Sequence, residues 1–411
     1  MPSRRRDYAV WATAGALAGW SAQAFEARDL LAFNAGPVVV KPRFSFVTSY
    51  SDNVYSLPDN PLFERLGLIQ SRDDFIFVLS PELRARLGRE GGDRQLDFTY
   101  RFDQYLFVEN TDSDSSNHSF SLGAAVAGSR LEYDTRNSIQ ILNSVLSGYE
   151  SISEGVVQPS GNVERNQYNF SHNLAYVLTA KSRLRVEGSL NLREYPGTGL
   201  QQARYYDSTD WRVRAGYDYA LSQKLRLAGL AHYGQQLRSA PRGGADLPDA
   251  DIFGGSVTAT GNLTAKLSGS VRAGYEFRDF EHGGGSDGYP IVGVSLTQQF
   301  SEKTSASLDY NRSGSVSAGT GAATVVDSVG LSFQQVLGTA RPWFLNAGVR
   351  YQRNEYVDRD LTLDSFQFTA GVARQLRQWA TVFLNYSFET ASRFAFDYEV
   401  NQVSLGLTIG L

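Results

Sequence analysis

Apolar and polar residues alternate along most of the chain. In RLRVEGSLNLR, residues 183–193, one face holds Arg183, Arg185, Glu187, Ser189, Asn191 and Arg193. The other holds Leu184, Val186, Gly188, Leu190 and Leu192. In DWRVRAGYDYA, residues 210–220, Trp211, Val213, Ala215, Tyr217 and Tyr219 oppose Arg212, Arg214, Gly216 and Asp218. In KLSGSVRAGYEFR, residues 266–278, Leu267, Val271, Ala273, Tyr275 and Phe277 oppose Lys266, Ser268, Ser270, Arg272, Glu276 and Arg278. Period two marks a strand with one apolar and one polar face. Eighteen segments read this way: 38–50, 75–87, 95–108, 118–128, 130–142, 166–178, 182–194, 209–220, 224–237, 252–263, 266–279, 289–300, 303–313, 325–337, 342–354, 364–376, 379–390 and 400–411. A tilted strand needs about 9–11 residues to cross a bilayer, and these segments supply them.

The connections alternate short and long. Short ones include GS at 128–129, TAKS at 179–182, LSQK at 221–224, TAK at 264–266 and SEK at 301–303. Long ones span 51–74, 109–117, 143–165, 195–208, 238–251, 280–288, 314–324, 355–363 and 391–399. This pattern predicts an all-β fold: a transmembrane antiparallel up-and-down β-barrel. The strand count is about 18, with 16 as the alternative. Short turns face the periplasm and long loops the exterior. Aromatic clusters near strand ends fit interfacial girdles: Phe44, Phe46 and Tyr50; Phe98, Tyr100 and Phe102; Tyr205 and Tyr206; Tyr217 and Tyr219; Tyr275 and Phe277; Tyr386 and Phe388.

The ends of the chain fit that reading. MPSRRRDY is basic, AVWATAGALAGW is apolar, and Ala22-Gln23-Ala24 is a small-x-small site. Residues 1–24 therefore read as a secretory signal peptide, 25–37 as a short periplasmic segment and 38–411 as the barrel. At the other end Val403, Leu405, Leu407, Ile409 and Leu411 alternate with small or polar residues. An unpaired terminal strand would be an aggregation hazard, so this strand is expected to pair with the first and close the ring. It resembles the C-terminal signal read by barrel-assembly machinery, with Leu411 where an aromatic residue is usual.

Composition narrows the function classes. Acidic and basic residues nearly balance, 43 against 39, with no basic run beyond Arg4–Arg6, which excludes a nucleic-acid partner. There is no Cys, and His118, His172, His232 and His282 have no paired metal-ligand spacing. No cofactor or metal is expected. The mean hydropathy of −0.31 is compatible with a barrel whose lumen is wet. DSDSS, at 112–116, lacks the Gly and Glu of a calcium loop. The acidic long loops are expected to be solvated and to meet lipopolysaccharide through divalent cations.

Eighteen strands leave room for an aqueous channel. Its candidate lining residues are Arg84, Arg86, Arg101, Arg183, Arg185, Arg193, Arg212, Arg214, Arg226, Arg272, Arg278 and Arg350, with Asp97, Asp103, Glu187, Asp218 and Glu276. Two roles compete for these arginines. They can attract anions, because an Arg fork matches a carboxylate. They can also brace the wall by pairing with acids on neighbouring strands. The 24-residue connection at 51–74 is long enough to fold inward as a constriction. An enzyme would need a catalytic constellation. His118 and His282 lie near Asp114 and Asp287, but no nucleophile motif accompanies them, and no enzyme activity is expected. A non-channel barrel, acting as structural element or adhesin, would need a filled lumen.

The stretch SFVTSYSDNVYSLPDN, residues 45–60, runs a first strand into an aromatic-Ser-Asp-Asn-apolar-aromatic turn. With the strand pattern of the mature chain, it resembles the outer-membrane β-barrel porin family of Gram-negative bacteria often associated with extracellular-polysaccharide operons. That resemblance implies an outer-membrane location and passage of extracellular polysaccharide, with periplasmic export components as partners. A general diffusion porin for small solutes is the alternative.

Overall fold

The computed structural model describes residues 32–57, 70–89, 92–145, 162–196, 205–239, 249–281, 286–316, 323–356, 361–393 and 396–410. A short arm, β1 (Phe33–Ala35), precedes the ring. The ring begins with β2 (Val38–Ser51), β3 (Asp74–Gly88), β4 (Arg94–Phe107), β5 (Ser115–Ala127), β6 (Leu131–Ser144) and β7 (Val163–Val177). It continues with β8 (Ser182–Glu194), β9 (Asp207–Ala220), β10 (Leu225–Ser239), β11 (Ala250–Asn262), β12 (Leu267–Phe280) and β13 (Ser286–Ser301). It ends with β14 (Thr304–Val316), β15 (Ala323–Leu337), β16 (Trp343–Tyr356), β17 (Leu361–Arg377), β18 (Ala380–Arg393) and β19 (Phe396–Gly410).

From β2 onward each strand pairs antiparallel with its sequence neighbour. The last strand then pairs with the first, from Gln402 opposite Ser51 to Gly410 opposite Arg43. The result is a closed 18-strand up-and-down barrel. Closure leaves no long edge with unpaired backbone groups. At the seam, inward hydroxyls meet: Ser49 Oγ lies 2.8 Å from Ser404 Oγ, and Ser45 Oγ 2.9 Å from Thr408 Oγ1. Val403, Leu405, Leu407 and Ile409 alternate with those residues and face outward; Leu411 lies outside the described residues. The first strand of the ring extends beyond the end of the last, and β1 fills that gap. It turns at Gly36, whose φ of +64° lies in the left-handed region, and pairs Phe33 with Val40 and Ala35 with Val38. Three residues are too few to show a period, so the sequence does not predict this arm.

Every strand from β2 to β19 carries an exposed large apolar side chain on its outer face. Examples are Phe44, Phe77, Leu122, Leu184, Val213, Phe253, Val271, Leu308, Val349, Leu384 and Leu405. Tyr205, expected in a girdle, is instead 2% exposed and stacks on Tyr195 at 4.6 Å. The ring strands are 13–17 residues long, more than a bilayer crossing needs. Much of the excess lies at the long-loop end. There β5 starts at Ser115 rather than 118, β7 at Val163 rather than 166, and β19 at Phe396 rather than 400. Above the apolar band both faces of a strand can be polar, so the period fades while the ladder continues.

Candidate functional site

The inner wall is built by the same alternation. All the candidate lining residues, from Arg84 to Arg350 and from Asp97 to Glu276, stand on the inward faces of their strands. They do not all meet the lumen. Arg278, Asp218 and Glu276 are buried, so they belong to the wall rather than to its wet surface.

Most of the arginines are paired. Arg86 Nε lies 2.5 Å from Asp97 Oδ1, and an Arg101 Nη2 lies 2.7 Å from Asp103 Oδ1. Ser80 Oγ donates to the same Asp103 carboxylate. Arg183 reaches Glu132 at 2.9 Å, and Arg185 reaches Asp218 at 2.6 Å and Glu187 at 3.2 Å. Much of this charge is therefore paired within the wall, and pairs with a buried member, such as Arg185 with Asp218, satisfy a group that would otherwise be costly to bury.

The densest cluster centres on Glu276 of β12. The ladder sets Arg214, His232, Gly254, Glu276 and Tyr289 in one row across β9–β13. A second row holds Arg212, Gly234, Ile252 and Arg278. Arg212 Nη1 donates to Glu276 Oε2 at 3.0 Å, although two strands separate them. Glycine makes that reach possible. A Cβ on Gly234 would stand 2.8 Å from Arg212 Cγ, and one on Gly254 would stand 2.8 Å from His232 Cε1. Glu276 also accepts from Tyr289 Oη and from Arg278 Nη2 at 3.4 Å, and His232 Nε2 lies 3.2 Å from its Oε2. Arg278 is held in turn over the Tyr289 ring at 5.3 Å and donates to the Ser315 carbonyl at 2.9 Å.

Arg272 of β12 is an exception. Among the described residues no ion pair or hydrogen bond engages it, and its Nε is buried without a partner. Arg214 is nearly so, with only Glu187 at 3.9 Å. Around the rest of the ring, from β13 to β19, the inward positions are mainly hydroxyls and amides. Ser328, Ser332, Gln352, Asn354, Gln367 and Asn385 are examples.

The start of the first long loop folds into the mouth. Asn53 is 1% exposed and organises it: its Nδ2 donates to the carbonyls of Leu57 at 2.8 Å and Glu399 at 2.9 Å. Its Oδ1 accepts the Leu57 amide at 3.0 Å. Ser56 takes a φ of +51° to close the bend. Tyr55 and Leu57 are then buried together against Val54 and Val145, with Tyr55 Oη 2.8 Å from Ser113 Oγ. Val54 borders a cavity of about 580 Å³ lined also by Arg101, Asp103, Asn117, Gln140 and Gln167. Further inward clusters lie at the same end, including Tyr356, Leu363, Ala391 and Tyr398, and Tyr289, Ile291 and Val325. The inner face therefore tightens toward the long loops. Residues 58–69, in the middle of the first loop, lie outside the described residues.

The acidic segment at 109–117 is closed on itself. Asp74 accepts the amides of Val108, Glu109 and Asn110 at 2.8–3.0 Å, and Asp114 Oδ1 accepts the Phe107 amide at 2.7 Å. His118 lies within β5, as the segment 118–128 predicts. It stands on the outer face of β5, with Nδ1 3.0 Å from Tyr100 Oη and its ring 5.0 Å from Phe102. His282 lies outside the described residues.

No protein-family model matches the chain, and no curated protein matches it. Among solved structures it is similar to OccAB3 of Acinetobacter baumannii, at 11% identity and a TM-score of 0.44 over 90% of this chain and 99% of that one. It is also similar to OpdQ of Pseudomonas aeruginosa, at 12% and 0.44 over 91% and 98%. A loop L8 deletion mutant of OmpT, an outer membrane protein of Vibrio cholerae, gives 12% and 0.37 over 92% and 100%. These superpositions are loose, and the closed barrel rests on its own strand pairing.

Proposed function

We propose that this protein is an outer-membrane β-barrel channel and that it passes extracellular polysaccharide or its fragments. The observation that carries the membrane reading is the outer surface. Exposed apolar side chains circle the whole ring, while most of the charged residues in the strand cores face in. Such a surface is costly in water and stable in lipid, where a closed barrel also satisfies its backbone. The hydroxyl and amide wall of β13–β19 supports the polysaccharide reading, because those groups match sugar hydroxyls. The turn after the first strand supports it too: its Asn53 and Tyr55 build the inward fold, and its sequence carries the family resemblance. In this reading the barrel-assembly machinery inserts the chain, lipopolysaccharide surrounds its acidic loops, and periplasmic export components deliver the polymer.

The narrowed mouth favours a second reading, a diffusion porin for small solutes. Liposome swelling separates the two. A diffusion porin admits small sugars at once and excludes oligosaccharides by size. A polysaccharide channel stays slow to small sugars until the mouth is loosened. Tyr55→Ala with Leu57→Ala is expected to speed entry of oligosaccharides. No swelling by either protein, with folding intact, would refute the channel.

Arg272 adds ion selectivity to this reading. An inward cation that forms no direct ion pair, with Glu276 and Glu187 only at electrostatic range, can attract anions. In a salt gradient the reversal potential is expected to show anion preference, and Arg272→Gln to reduce it. Cation preference in the parent barrel would refute anion attraction.

A further inference from the structure

The chain has five lysines, Lys41, Lys181, Lys224, Lys266 and Lys303. All stand at the short-turn end, and four occupy four successive short turns. Those turns share one pattern, an apolar residue, then Ser or Thr, then any residue, then Lys: LTAK at 178–181, LSQK at 221–224, LTAK at 263–266 and FSEK at 300–303. The hydroxyl shapes each turn by accepting the Lys amide: Thr179 at 3.2 Å, Ser222 at 3.1 Å, Thr264 at 3.1 Å and Ser301 at 3.2 Å. The apolar residue that opens each turn points into open space: Leu178 is 44% exposed, Leu221 55%, Leu263 61% and Phe300 54%. The side chains also link neighbours. Lys266 Nζ donates to the Phe300 carbonyl and Lys303 Nζ to the Gly338 carbonyl, both at 3.1 Å. Each of the other short turns carries or adjoins an exposed arginine: Arg89, Arg130, Arg341 and Arg377. Among the described residues of these turns the acids are Asp93 and Glu302.

We infer that this end of the barrel is a binding rim for anionic phospholipid headgroups. The inference rests on the membrane reading above. A turn of two to four residues cannot lift its lysine far from the apolar band, so the ammonium sits at headgroup depth. The exposed leucine or phenylalanine three residues earlier enters the acyl region beneath it. An apolar anchor paired with a cation at that spacing matches a lipid, with its chain below and its phosphate above. A dissolved partner would meet the cation but leave the anchor in water. The charge is also segregated. The rim is basic while the opposite loops, such as 109–117, are acidic, so the net charge of −4 conceals a strong polarity along the axis.

The test refolds the full barrel into phosphatidylcholine vesicles, and into the same vesicles with one-fifth phosphatidylglycerol. Urea unfolding is followed by gel mobility and tryptophan fluorescence. The expected result is a higher urea midpoint with phosphatidylglycerol, an increase that shrinks in high salt. Lys181→Gln, Lys224→Gln, Lys266→Gln and Lys303→Gln combined should abolish that increase and leave the phosphatidylcholine midpoint in place. A combined variant with an undiminished increase would overturn the inference. So would a parent barrel indifferent to phosphatidylglycerol, which would leave the rim to an acidic protein partner. A barrel that enters neither vesicle refutes the membrane reading itself, so the two failures are distinguishable. If the combined variant does not fold, Lys224→Gln with Lys266→Gln is expected to lose part of the increase.

Discussion

Glu276 is 3% exposed and meets Arg212, Arg278, His232 and Tyr289 at once. Removing one member of a buried charge cluster leaves the others uncompensated, at a cost of about 3–5 kcal/mol. Glu276→Ala is therefore expected to lower the urea midpoint of the refolded barrel substantially. Glu276→Gln, which keeps the shape and an acceptor, should cost less; equal midpoints for parent and both variants would show that the cluster carries no stability. The polarity of these positions is legible in the sequence, and their inward facing follows from period two. Their partnerships are not. Arg212 and Glu276 are 64 residues apart, and only the register of β9–β12 brings them together. The burial of Arg278 is equally hidden, because it depends on Tyr289 and the Ser315 carbonyl from other strands.

At the scale of the element, the seam shows how a two-residue period fixes orientation. Leu405 faces out at the middle of β19, and Ser404 beside it meets Ser49 inside. An arginine on the lipid face near the midplane costs about 2–4 kcal/mol, and one in a wet lumen far less. Leu405→Arg should thus impair folding into vesicles, while Ser404→Arg should leave most of it. The opposite order, read by heat-modifiable gel mobility, would mean the strand is inverted. Strand cores were legible because each crosses one apolar band with one polar lumen beside it. Long-loop ends were not, since ladder pairing there continues without an apolar face. The inward fold at 52–57 was open in the sequence as a length alone; Asn53, by joining Leu57 to Glu399, decides its direction.

For the whole molecule, the proposed function comes down to a membrane barrel with a water-filled, partly narrowed lumen. The closed ring, the circling apolar band and the polar inner wall support it, and arginine–acid pairs link neighbouring strands of that wall. The narrowed end and the basic rim lie at opposite ends, which gives the barrel a defined direction in the membrane. The most direct test is single-channel current through the purified, refolded protein in a planar bilayer, compared with Tyr55→Ala plus Leu57→Ala. Discrete current steps are expected for the parent and larger steps for the variant. Silence from both, with the fold verified, would contradict the proposed function and leave a barrel with a filled lumen.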